Sequence, residues 1–261
     1  MGGGWMEVCR GTQVAGAAGA RTSGRDVGMK VLFLIPFVSK TYARDWDSAC
    51  AFLTRTLASI RNQSCPSYHV MVISNDLPHA DLDGEKISFV QTNLTIDQPG
   101  VPGRRVVDKE RKIHRGLIES HKLTPEFIML LDGDDLVSKD LVAFVERNSH
   151  LDGFVIDRGY KYVTGSRSVA RSLEFNQSCG SSYIFRVRRE DLPQQISDYK
   201  DSSYRDFWMV KSHNKSPEAD FEKRNYRWTY VPFYAVVYRM LRQSEGAKDL
   251  RAPMAQSPLQ R

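Results

Sequence analysis

The clearest pattern in the chain is a series of short, continuous apolar runs separated by amphipathic stretches. Residues 30–36 (KVLFLIP), 69–76 (HVMVISND) and 127–131 (FIMLL) have the length and composition of strands buried on both faces. A weaker strand is predicted over 87–91 and another over 183–187. Between them, Ala49, Phe52, Leu53, Thr56, Leu57 and Ile60 recur at helical spacing after a potential Asp47 cap, and residues 62–67 end that helix. Further helices are predicted over 109–121 and 138–148.

Strands that alternate with helices, joined by right-handed crossovers, give an α/β fold with a mainly parallel central sheet flanked by helices, as a single domain. In such sheets ligands sit beyond the carboxyl ends of the strands, here near 36–39, 74–76 and 132–135. The folded unit spans 29–241, in two halves, 29–135 and 136–241. The Gly/Ala-rich residues 1–28 have no strand or helix period and no signal-peptide pattern, so they are expected to be a disordered leader. Residues 242–261 are expected to be a flexible tail.

Composition changes this picture little. The 261 residues are 41% apolar and 26% charged, an ordinary globular balance that excludes wholesale disorder. No run of 18 apolar residues occurs, so no transmembrane segment is predicted. Cys9, Cys50, Cys65 and Cys179 are scattered, without zinc-type spacing or a disulfide framework. A reducing, cytoplasmic setting follows, and the basic charge would tolerate an anionic membrane surface. The net charge of +6 is concentrated: residues 104–115 hold six Lys/Arg against two acids. That segment suits a compact anionic ligand at least as well as a long polyanion.

The chemistry is concentrated in Asp132-Gly133-Asp134-Asp135, just after a buried strand, where three acids repel one another unless a cation or partner relieves them. Alternate residues of an extended chain point the same way, so Asp132 and Asp134 would reach one hard divalent ion such as Mn²⁺ or Mg²⁺. Gly133 would let the backbone approach a ligand. The plainer alternative is an Asp/Gly turn, with Asp135 capping the next helix. Lys112 and Arg115, three apart on a predicted helix, would offer cations to a diphosphate.

These pieces together resemble the inverting family 2 glycosyltransferases, which have the GT-A fold. The matching segments are the strand 31–36, Leu53-Thr-Arg-Thr-Leu57-Ala-Ser-Ile60-Arg-Asn-Gln63, the strand ending in Asn75-Asp76, Arg111-Lys-Ile-His-Arg115-Gly116-Leu117, and Leu130-Leu-Asp132-Gly-Asp134-Asp135. The resemblance covers about residues 29–150, and implies a GT-A domain over 29–241 with a nucleotide-sugar half (29–135) and an acceptor half (136–241). It implies transfer of a hexose-type sugar from a nucleotide-diphosphate donor to a hydroxyl of a glycan or other acceptor, with no nucleic-acid partner. Pro36 and Phe37 to Ser39 would line the nucleotide pocket, Asp76 would meet the base or ribose, Arg115 would lie near the diphosphate, and Asp132 and Asp134 would hold the metal. Many members carry two acids where this chain has Asn75-Asp76, so a nucleotide contact from Asn75 follows less directly.

Inverting transfer needs a carboxylate to take the acceptor proton. Asp198, Asp201 and Asp206 are the candidates, and Asp206 is the choice. His213 would be a third metal ligand, as a late histidine is in some GT-A enzymes. The small-residue run 179–183 would admit a sugar or form a tight turn, and Tyr160, Tyr162, Trp208 and Trp228 would stack on sugars or pack in the core. Two other readings remain open. One is a phosphohydrolase resembling the haloacid dehalogenases, with Asp132 as nucleophile and Asp134 as acid/base. The other is a non-catalytic basic module that binds nucleic acid through residues 104–115.

Overall fold

A computed structural model describes residues 29–94, 103–195, 205, 207–212 and 217–240. The expected leader and tail, and the candidates Asp198, Asp201, Asp206 and His213, lie outside the described residues.

Eleven strands and five α-helices are described. The first half holds β1 (Val31–Pro36), α1 (Trp46–Arg61), β2 (Tyr68–Ser74), β3 (Ile87–Gln91), α2 (Arg104–Glu119) and β4 (Phe127–Leu130). There follow β5 (Leu136–Val137), α3 (Leu141–Arg147), β6 (Gly153–Val155), β7 (Arg158–Val163), β8 (Ala170–Leu173) and β9 (Tyr183–Arg186). The last elements are α4 (Trp208–Ser212), α5 (Glu218–Lys223), β10 (Trp228–Tyr230) and β11 (Val236–Met240). The main sheet has the order β10-β6-β9-β4-β1-β2-β3, with every strand parallel to its neighbours except β9. A second sheet, β5-β11-β7-β8, stands beside it.

The apolar runs fold as predicted because each strand serves two cores. Val31, Phe33 and Ile35 of β1 pack with Leu53, Leu57 and Ile60 of α1, while Leu32 and Leu34 pack with Ile113 and Leu117 of α2. Every residue of β1 is therefore buried, and alternation of polar and apolar positions is impossible there. Gly116 is required by this packing, since a Cβ would lie 2.8 Å from the Leu34 side chain and 2.9 Å from that of Ile73.

Two helix boundaries and one sheet differ from expectation. Helix α1 begins one residue after Asp45, which leaves Asp47 inside the first turn. Helix α2 starts five residues earlier than its apolar spacing indicates, because Asp108 and Lys112 are buried polar positions that apolar periodicity passes over. The second sheet was not anticipated at all: β7 reads Arg-Gly-Tyr-Lys-Tyr-Val, and its partner β11 lies far along the sequence. No helix among the described residues is long and apolar enough to cross a membrane.

Burial of His114 on α2 has a consequence for acid stability. Its ring lies 5.3 Å from that of Phe207, and burial pushes its pKa down from 6.5 to about 4. The unfolded chain therefore takes up a proton on this histidine between pH 6.5 and 4 that the folded chain resists. Stability is unaffected above that window and falls as pH drops through it, by up to about 3 kcal/mol at 1.36 kcal/mol per unit. His114→Phe should flatten that part of a stability–pH curve measured by urea unfolding, whereas an unchanged slope would contradict it.

Candidate active site

The chain leaves β1 to one side of the main sheet, through β2 and β3, then returns by α2 to β4 on the other side of β1. The crevice beyond the carboxyl ends of β1 and β4 is therefore the topological switch point, where α/β sheets receive ligands. Helix α2 runs opposite to the strands, so its first turns stand over this crevice.

Its floor is a polar knot. Lys112 is fully buried, and its ammonium donates to the Phe37 carbonyl (2.8 Å), to Ser39 Oγ (2.7 Å) and to Asp108 Oδ2 (2.7 Å). The Ser39 hydroxyl donates to Asp108 Oδ1 at 3.1 Å. Burial pulls the Lys112 pKa down, against the opposing pull of the Asp108 and Asp76 carboxylates. Three bonds use all the protons of an ammonium, so Lys112 supports the loop after β1 and has no hydrogen left for a diphosphate. Asp76 meets the same loop, accepting from the Lys40 amide at 2.7 Å. Asn75 holds the chain leaving β3: its amide donates to the Leu94 carbonyl (2.8 Å) and its oxygen accepts from the Thr92 hydroxyl. The sequence-predicted residues Pro36, Phe37, Asn75 and Asp76 thus stand at adjacent strand ends, with the Phe37 ring turned inward against Trp46, centroids 5.5 Å apart.

The acid cluster divides into two partly exposed groups and one buried group. Asp132 Oδ1 lies 2.5 Å from Lys109 Nζ, and Asp134 Oδ2 accepts from Arg239 Nη2 at 2.8 Å; both carboxylates are partly exposed. Asp135 is fully buried, and the N-cap position of the next helix, α3, is held by Asp140 instead. Asp135 accepts from Ser181 Oγ (2.6 Å), Cys179 Sγ (3.3 Å) and the Arg239 amide (3.2 Å). Burial and then the neighbouring charges of Asp132 and Asp134 push its pKa up to about 8. Asp134 is also raised, by burial first and by Asp132 second, with Arg239 opposing. The small-residue run 179–183 is therefore a brace, since Ser181 also accepts from the Asp132 amide at 2.9 Å.

Gly133 is needed for a reason other than ligand approach. A Cβ there would stand 2.8 Å from the Phe37 ring, and the Gly133 carbonyl accepts from Thr56 Oγ1 of α1 at 3.1 Å. The cations beside the cluster are Lys109 and Arg239, neither of which the sequence reading singled out. Arg115 instead bonds Glu119 (2.7 Å), one turn farther along α2. Lys109 was discoverable, because it shares a helix face with Lys112 at a spacing of three. Arg239 lies 105 residues from Asp134, and no local pattern points to it. Trp208 packs against Phe185 and Phe221 in the core. Cys50, Cys65 and Cys179 are free thiols.

Among the described residues, no group of three or more His, Cys, Asp or Glu side chains is arranged to hold a metal ion. Two carboxylate ligands still fit a hard divalent ion, which commonly takes one or two from the protein and the rest from phosphates and water. Asp132 and Asp134 have that chemistry, and an ion there would exchange with Lys109 and Arg239 for their oxygens.

No family model and no curated protein matches the chain. Among solved structures it is similar to residues 1–349 of TarS from S. aureus, with 14% identity and a TM-score of 0.45 over 81% of this chain and 60% of that one. It is similar to the same fragment in complex with UDP-GlcNAc, at 15% identity and TM-score 0.45 over 81% and 59%. It is also similar to a protein from Desulfovibrio desulfuricans G20 titled a nucleotide-diphospho-sugar transferase, at 6% identity and TM-score 0.39 over 81% of each chain. The chain spans about 60% of the length of the TarS fragment.

Proposed function

We propose that the protein is a metal-dependent glycosyltransferase of the GT-A type that moves a sugar, with inversion, from a nucleotide-diphosphate donor to an acceptor hydroxyl. The carrying observation is the separation of Asp132 and Asp134, both partly exposed at the switch point, from Asp135, which is folded away into its own hydrogen bonds. A simple turn would not need that division.

In this reading the donor lies across the ends of β1 and β4, with its nucleoside toward Asp76 and the loop fixed by Lys112. The diphosphate faces the first turns of α2, where the helix dipole and Lys109 favour negative charge. Asp132 and Asp134 would hold Mn²⁺ or Mg²⁺. When bound, the ion neutralises charge building on the departing diphosphate. Asp206 is proposed as the base that takes the acceptor proton and His213 as a further metal ligand, both from sequence.

Calorimetric titration of UDP and then GDP, with and without Mn²⁺, tests the reading on wild type and Asp134→Ala. Metal-dependent binding that Asp134→Ala abolishes is expected. Failure of both nucleotides to bind under every condition would overturn it and make phosphate-ester hydrolysis the next assay.

A further inference from the structure

A cavity of about 210 Å³ lies at the opposite end of the main sheet from the crevice at the switch point. It opens between the turn that follows α2 and the segment that follows β9. Pro125 in its wall and Asp132 in the crevice are seven residues apart along the β4 segment, roughly 20 Å at the rise of a strand. The two places share no side chain.

The wall is apolar and held in place by the fold. Pro125 and Leu192 are buried, and Val187 is half-buried against the core that contains Ile113 and Leu117 of α2. The Val187 amide donates to the Glu126 carbonyl at 2.9 Å, and His121 Nε2 donates to the Pro193 carbonyl at 3.2 Å, which ties the two lining segments together.

Two features of the rim have no role in the fold. The Arg189 side chain is exposed and makes no ion pair or hydrogen bond among the described residues, whereas nearby Arg186 bonds Glu126, Arg188 lies over the Tyr226 ring and Arg224 holds Asp191. Thr124, which lines the cavity, has φ 47° at the position that closes α2, where its amide donates to the Ser120 carbonyl at 3.1 Å. Glycine or asparagine ordinarily fills such a left-handed position, and a β-branched residue is strained there.

An unmatched guanidinium above an apolar wall selects a ligand with one planar anionic group and an apolar body. The end of α2 carries the negative pole of the helix, which disfavours a dianion such as a phosphate monoester and leaves a monocarboxylate. An apolar cavity of about 150 Å³ holds benzene, so this one has room for a ring and its carboxylate. We infer that the cavity is a second ligand site, for a small aromatic monocarboxylate about the size of benzoate. Its carboxylate pairs with Arg189 and its ring lies on Pro125, Val187 and Leu192. The inference is independent of the transferase reading.

The test is ligand-observed NMR titration of the full chain with benzoate, benzamide, acetate and phenyl phosphate, on wild type, Arg189→Gln and Thr124→Gly. Benzoate should bind with a Kd of about 1 mM, ordinary for a ligand of its size. Benzamide and acetate, which lack the charge and the ring respectively, should bind at least tenfold more weakly, and phenyl phosphate no more tightly than benzoate. Arg189→Gln should weaken benzoate tenfold or more without moving the unfolding midpoint. Thr124→Gly should weaken it about threefold while raising the midpoint, a combination that a merely structural threonine would not give. UDP with Mn²⁺ should leave benzoate in place. Absence of saturable benzoate binding, equal binding of benzamide or acetate, tighter binding of phenyl phosphate, indifference to either substitution, or displacement by UDP would overturn the inference.

Discussion

Lys112→Met is expected to cost about 3–5 kcal/mol of stability, the usual loss when one member of a buried ion pair is removed. The substitution keeps the bulk of the side chain but leaves the Asp108 carboxylate, the Ser39 hydroxyl and the Phe37 carbonyl without the ammonium that now joins them. Against a typical total of about 5–15 kcal/mol, that is a large share. At roughly 2–4 °C per kcal/mol for a domain of this size, the unfolding midpoint should fall by about 6–20 °C. The double variant Lys112→Met/Asp108→Leu should recover much of the loss, because no charge is then stranded. Calorimetric scans of the two variants check both statements, and a single-variant loss below about 1 kcal/mol would contradict the role of the knot.

Asp132→Asn should separate activity from stability in the opposite sense. On the transferase reading it replaces one of the two carboxylate ligands of the ion by a neutral amide oxygen, a contribution worth several kcal/mol at the transition state, so transfer should fall about 10³-fold. The folded protein should meanwhile lose little stability or gain some. Asp132 disfavours ionisation of its neighbours Asp134 and Asp135, and an amide in its place relieves them at the cost of one contact to Lys109. Donor turnover and unfolding midpoint measured on one preparation decide it. Lowered turnover with a strongly lowered midpoint would show that the carboxylate is structural.

What the sequence discloses here depends on how local the cause is. The strands β1, β2 and β4 are recognisable because both faces are buried, which leaves continuous apolar runs such as Val31 to Ile35. The acids at 132–135 were readable as a cluster for the same reason, since they follow such a run directly. Their division was not readable: Asp135 turns inward because Ser181 and the Arg239 amide receive it, and both lie tens of residues away. The basic segment misled by composition. Lys109, Lys112 and Arg115 read as a cationic surplus, yet each is matched to an acid of the chain itself, Asp132, Asp108 and Glu119, and the neighbouring Glu110 is matched to Arg205. The second sheet escaped because strands such as β7 are partly exposed and mix polar with apolar residues, and a strand of that kind is stabilised by its partners more than by its own residues.

The contact between Arg239 and the acid cluster also sets an order of assembly. Asp135 leaves the ribosome 104 residues before the amide that completes its hydrogen bonds, a delay of roughly 5–20 s at ordinary rates of translation. During that interval β5 and β7 have no strand between them, since β11 fills the position that joins them. Until then Asp134 lacks its Arg239 contact, and β11, the last strand among the described residues, supplies both that contact and the strand that joins β5 to β7. The hydrogen bonds of Asp135 are thus a long-range feature that cannot close before residue 239 has been made.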